Sequence, residues 1–145
     1  MRRFVAIVPV VLVAVGCRSV PMAGATAGSS SAKDAVEQML IAATAGDLQA
    51  ISAVWGDETG LVRDRTDRTE VESRTFIMAC VLKNNSRKLG EPQPDGTGRM
   101  IVNADLTQGT NSGSVRFVTA KTREGRWLVT NVDLPALQNK GFCGR

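Results

Sequence analysis

Hydrophobic and polar positions recur along this 145-residue chain with two different periods. After Ser31, the apolar residues Val36, Met39, Leu40 and Ala43 follow at the i, i+3, i+4, i+7 spacing of one helix face, and Ser31-Ala32-Lys33-Asp34 has the spacing of a capping box. Gly46 offers a position where positive φ costs nothing, so this helix is expected to end there. Asp47 can cap a second, shorter helix in which Leu48, Ile51, Val54 and Trp55 share a face before Gly56, giving an αα-corner joined by Ala45-Gly46-Asp47. A third helix is expected from a cap at Thr66 or Asp67 to about Asn84. Val71, Met78 and Leu82 mark its apolar side. Phe76, Ile77, Ala79, Cys80 and Val81 widen that arc beyond what a surface helix needs, which predicts burial on two sides. Asp64/Arg68 and Glu70/Arg74 stand four residues apart, the pattern of a solvated face laced with ion pairs rather than a binding patch.

From Ser86 the period shortens to two. Arg87 to Glu91 reads as a strand, 91–98 (EPQPDGTG) as a loop, and Arg99 to Thr107 as a strand with Met100, Val102, Ala104 and Leu106 on one face. A turn over 108–113 (QGTNSG) leads to a strand from Ser114 to Lys121, in which Val115, Phe117 and Thr119 alternate. A tight turn, TREG, leads to a fourth strand from Arg126 to Leu134. Helices first and strands afterwards predict an α+β fold, an antiparallel meander with helices on one face. The chain is short enough that a second core would leave each half too small to bury sufficient apolar surface, so one domain is expected, over 31–145.

The first thirty residues follow neither period. Met1-Arg2-Arg3 is basic, and Phe4 to Gly16 is an uncharged run of thirteen residues. Even as a helix that run spans about 20 Å, against roughly 30 Å of bilayer hydrocarbon. These are the features of a secretory signal peptide over 1–16. Ala14-Val15-Gly16-Cys17 resembles a bacterial lipobox, which implies acylation of Cys17 and anchorage of an exported lipoprotein on the periplasmic or cell-surface side of a membrane. The alternative is an ordinary signal peptide cut within Ala23 to Ala27, with Cys17 discarded. Arg18 to Ser31 is rich in Ser, Gly and Ala, so residues 17–30 read as a lipidated Cys followed by a tether with an r.m.s. reach of about 20 Å.

Composition narrows the chemistry. The chain has no His and no Tyr, which removes His-based nucleophile pairs, His acid/base catalysis and HExxH metal sites. Loss of Arg2 and Arg3 with the leader lowers the 18 basic side chains to 16, two more than the 14 acidic ones. With four Phe and two Trp besides, there is neither a base-stacking platform nor a strong phosphate-binding field, so nucleic acid is not an expected partner. If Cys17 carries lipid, Cys80 and Cys143 remain as an even pair in a compartment where disulfides persist. A bond between them would tie the C-terminal tail to the third helix; the alternative is two unpaired thiols. Two Cys without His cannot fill a tetrahedral zinc shell, and no phosphate loop or CxxC is present, so neither a metal nor a cofactor is expected.

AVEQMLIAATAGDLQAISAVW at the start and REGRWLVTNVDL at the end resemble the nuclear transport factor 2-like superfamily, a cone-shaped α+β fold, over roughly residues 31 to 135. Within it the chain is similar to small bacterial lipoproteins with no assigned activity. The resemblance implies a cone gathering side chains from the inner faces of helices and sheet, for which Trp55, Arg74, Asp105, Trp127, Asn131 and Asp133 are the candidates. Many enzymes of the superfamily use Asp-His or Tyr-Asp arrangements that this chain cannot supply, which weighs against catalysis. Two functions stay open. One is a non-catalytic tethered domain that binds a small ligand, a peptide or a partner protein; the other is a lyase or isomerase using Asp105 or Asp133 as base. Asp105 alternates with the apolar face of its strand, so its position on the solvent side of the sheet is the competing expectation. Trp55 and Trp127 have an equally ordinary reading as core or rim bulk. A cystatin-like inhibitor shares the helix-on-sheet outline, but three N-terminal helices are too many for it. Open sheet edges of this kind also fit pairing of two copies in a homodimer.

Overall fold

The computed structural model describes residues 27–144. Its elements run α1 (Ala32–Ala45), α2 (Leu48–Val54), β1 (Gly56–Asp57), β2 (Gly60–Leu61), a 3-10 turn (Val62–Asp64), α3 (Arg68–Leu82), β3 (Ser86–Leu89), β4 (Gln93–Pro94), β5 (Met100–Gln108), β6 (Asn111–Lys121), β7 (Trp127–Val132) and α4 (Leu134–Gln138). The chain is α+β, with helices before an antiparallel meander ordered β3-β5-β6-β7.

The helix boundaries follow local chemistry. Ser31 accepts the Asp34 amide at 3.1 Å, and Gly46 stops α1 with φ 69°, its N–H turned back to the carbonyls of Ala42 and Ala43. Asp47 accepts the Ala50 amide at 2.9 Å to start α2. Asp67 accepts the amides of Thr69 (2.9 Å) and Glu70 (3.3 Å) to start α3. Arg74 pairs with Glu70 at 2.6 Å. Asp64, in the 3-10 turn ahead of the cap, is not helically spaced from Arg68, which pairs instead with Glu72 at 2.7 Å.

Burial of α3 is one-sided, against the expectation of two buried faces. Val71, Thr75, Met78, Ala79, Val81 and Leu82 point inward, whereas Phe76 is 66% and Ile77 47% exposed. The apolar arc was wide because these two residues extend it into solvent.

Around β5 the alternation holds: Val102, Ala104 and Leu106 are buried and Asn103 and Asp105 exposed. The edge strand beside β5 is split, β3 pairing Ser86 with Thr107 and β4 pairing Gln93 with Ile101, because Gly90 and Pro92 interrupt it. The β5–β6 turn has two residues, Gly109 and Thr110, so β6 starts at Asn111 rather than Ser114. β7 stops at Val132, where Asp133 caps α4 and Pro135 occupies its first turn.

One core lies between the helices and the inner sheet face. Val36, Met39 and Leu40 meet Ile51, Val81, Leu82, Val102, Leu106, Val115, Phe117 and Val129 there. Leu137 and Phe142, from α4 and the tail beyond it, belong to the same core. Leu128 is buried apart from it, beneath Gly28 and Gly56, where an added Cβ would come within 3.0 and 2.8 Å of its methyls.

Candidate functional site

A groove of about 270 Å³ opens between α3 and β7, lined by Trp55, Arg74, Ile77, Met78, Thr130, Asn131, Val132 and Leu134. Trp55 follows α2 and bridges Val129 in parallel, which fixes its backbone against the outer edge of β7. Thr130 Oγ1 donates to the Gly56 carbonyl at 2.8 Å and ties the next turn of chain to the same edge. The Arg74 guanidinium lies 6.0 Å from the Trp55 ring centroid, the outer limit of a cation–π contact, and is held from behind by Glu70. Arginine has five N–H donors, so this ion pair leaves others available to a ligand. Asn131 is exposed at the mouth. The result is an aromatic wall and apolar floor with a cation and an amide at the rim.

Three of the six candidate residues, Trp55, Arg74 and Asn131, come together here. The other three lie elsewhere. Asp105 is on the outer sheet face, exposed, accepting a short hydrogen bond from Ser114 Oγ across the β5–β6 pair. Asp133 accepts the Ala136 amide at 3.4 Å as the cap of α4. Trp127 sits at the start of β7, exchanging backbone hydrogen bonds of 2.8 and 2.9 Å with Ser29, with the Lys121 ammonium 5.9 Å from its ring centroid. Sequence reasoning did not place Ile77, Met78 or Leu134 at a groove. The wide apolar arc of α3 assigns Ile77 to the core, and nothing in the alternation of β7 signals that the chain turns into a helix at Leu134.

Cys80 and Cys143 form a disulfide, with Cα atoms 5.1 Å apart. Gln108 supports it from the sheet: its Oε1 accepts the Cys143 amide at 2.7 Å, and its Nε2 donates to the carbonyls of Cys80 (2.9 Å) and Lys83 (2.8 Å). Cys17, with the leader and most of the tether, lies outside the described residues. Among the described residues no group of three His, Cys, Asp or Glu is placed to hold a metal ion. None of their helices is long and apolar enough to cross a membrane.

At the sheet's far corner, Arg65 donates to Asp57 and holds its carboxyl well below the usual carboxylate range, with Thr59 adding to the effect. Glu58 is likewise held low by the hydrogen bond from Arg99. Both are ion pairs open to solvent that tie the β1–β2 hairpin down.

No family model matches the chain, and no curated protein matches it. Among solved structures it is similar to an uncharacterized cystatin fold protein from Novosphingobium aromaticivorans, at 16% identity and a TM-score of 0.42, over 71% of this chain and 98% of that one.

Proposed function

We propose that this chain is an exported domain, anchored by an acylated Cys17, that binds a small ligand or a segment of a partner protein in the groove between α3 and β7 without transforming it. The observation that carries this reading is the convergence of Trp55, Arg74 and Asn131 on one groove while Asp105 and Asp133 are engaged elsewhere. A proton-transfer enzyme of this architecture needs a carboxylate beside its substrate, and the groove's lining contains none. Export is supported by the Cys80–Cys143 disulfide, a bond that persists in oxidising compartments.

Two measurements test the two halves. Intact-mass analysis of the native membrane fraction is expected to show a chain beginning at Cys17 with acyl mass added; an unmodified leader there would end the anchoring reading. For binding, a fragment set is titrated against the labelled chain by NMR. Hits are expected to move Trp55 and Asn131, to weaken by about tenfold in Arg74→Gln, the scale of losing one interface anchor, and to be unchanged in Asp105→Asn. Hits that ignore Arg74→Gln and depend on Asp105 would reverse the assignment.

A further inference from the structure

The groove is walled on one side by the start of the chain's C-terminal segment, the rest of which packs into the core. Leu134, the first residue of α4, forms one wall of the groove. One turn further, Leu137 is fully buried, and beyond α4 Phe142 is 3% exposed. Both rest on Gly113, which stands on the inner face of β6 in the same alternation as Val115 and Phe117. A Cβ there would lie 3.0 Å from a Leu137 methyl and 3.5 Å from the Phe142 ring. α4 packs on β6 and on α3, so this segment crosses from the end of β7 to the helix that forms the groove's opposite wall.

Three devices hold the segment across that span. Asn111 Nδ2 donates to the Gly141 carbonyl at 3.0 Å, Gln108 accepts the Cys143 amide, and the disulfide joins Cys143 to Cys80 on α3. Cys143 has φ 67° and is the one non-glycine with positive φ among the described residues, a conformation that a residue with a side chain adopts only when its surroundings impose it. The segment is therefore a short helix and tail fastened at its far end.

We infer that residues 133–144 are a lid over an amphipathic ligand cleft, with the Cys80–Cys143 bond as its latch. This rests on the binding reading of the groove given above and names its ligand class. That class has an apolar body, aliphatic or aromatic, occupying the space of Leu137 and Phe142, and an anionic head at the rim on Arg74 and Asn131. Opening requires a dithiol donor. Its thiolate attacks one sulfur of the pair, forming a mixed disulfide and releasing the other sulfur; the donor's second thiol then closes the donor's own disulfide. Two electrons pass from donor to protein, and Cys80 and Cys143 each end with a proton. Both cysteines are half-buried rather than sealed, so the exchange has a path.

The test titrates a dansylated fatty acid into the full chain, oxidised and then reduced by dithiothreitol with thiols counted, while far-UV circular dichroism follows the fold. If the latched lid is open less than about 10% of the time, reduction tightens the apparent affinity by about tenfold or more. Phe142→Ala, which keeps the bond and empties part of the space, is expected to bind the oxidised chain without reductant. Equal affinity before and after reduction overturns the latch, and so does loss of the helix and sheet signal on reduction, which would make the bond a staple of the fold. If the oxidised chain already binds and Arg74→Gln abolishes it, the groove reading stands and the lid falls. If only the reduced chain binds and Arg74→Gln changes nothing, the lid stands and the groove reading falls.

Discussion

The two ends of the sheet are closed by chain segments seated on glycines, but different chemistry fastens each. At the end where β7 begins, residues 28–29 and the β1–β2 hairpin pass over Leu128, with Gly28 and Gly56 allowing the close approach. That end is pinned by exposed ion pairs, Arg65 on Asp57 and Arg99 on Glu58. At the end where β6 begins, Leu137 and Phe142 come down on Gly113, and a disulfide holds them. Exposed pairs are screened by salt and lost to acid, whereas a covalent bond between half-buried sulfurs responds to neither. One closure is sensitive to pH and ionic strength, the other to redox potential. Both border the candidate groove, the first through Trp55 and Gly56 and the second through Leu134.

The largest expected effect comes from cutting the covalent closure. The bond spans a sequence separation of 63, for which the chain-entropy model gives about 4 kcal/mol. Reduction should lower the urea midpoint accordingly and raise the m-value, because the unfolded chain becomes free to expand. Since domains of this kind are stable by about 5–15 kcal/mol, the reduced chain is expected to remain folded at room temperature. Unfolding on reduction without denaturant would mean that the apolar seat of Leu137 and Phe142 contributes little by itself.

The glycine seats differ in what they press against, which gives a second, smaller contrast. A Cβ at Gly56 would overlap the Gly60 carbonyl, a backbone atom with nowhere to go, and crowd Leu128. At Gly113 the nearest atom is the end of the Leu137 side chain at 3.0 Å, which can shift by rotamer adjustment. Gly56→Ala is therefore expected to cost about 3 kcal/mol and Gly113→Ala about 1 kcal/mol or less, measured by chemical denaturation. Equal costs would show that the C-terminal segment is packed as rigidly as the hairpin.

The division between what was legible in the sequence and what was not follows the same two closures. Caps at Ser31, Asp47 and Asp67 are local bargains between a side chain and amides two or three residues away, and strand alternation around β5 is equally local, so both could be read directly. The segments that close the sheet form through distant contacts. α4 is five residues long, and its burial depends on Gly113, more than twenty positions earlier; the local signal, Asp133 followed by Pro135, lies inside a run that also suits a strand. The exposure of Phe76 and Ile77 was hidden for a related reason. An apolar residue on a helix marks core only if another element arrives to cover it, and none of the described elements covers that side of α3. Of the candidate groove, Trp55, Arg74 and Asn131 can be named from residue type, but that they share one groove, and that Asp105 faces outward, depends on which sheet face the helices cover.

The smallest effect concerns the ionic closure, and pH separates it from packing. The Arg65 hydrogen bond holds Asp57 below the ordinary carboxylate range, so the folded state favours the charged form. A group depressed in this way contributes stability that is complete above the unfolded value, about 3.9, and is lost as pH falls through the lower folded value. Asp57→Asn should therefore lower Tm at pH 7 by no more than about 2 °C, as befits an exposed pair, and the difference from the parent should narrow below about pH 4 as both chains come to lack the charge. Molar salt at pH 7 should shrink the same difference, since the pair is open to solvent. The disulfide end predicts the opposite pattern: the Tm lost on reduction should be nearly independent of pH and salt. A deficit in Asp57→Asn that persisted through acid and salt, and that grew in Asp57→Ala, which also removes the acceptor of the Thr59 amide and hydroxyl, would show that the side chain acts through geometry rather than charge, and that the first closure is then a packing device rather than an ionic one.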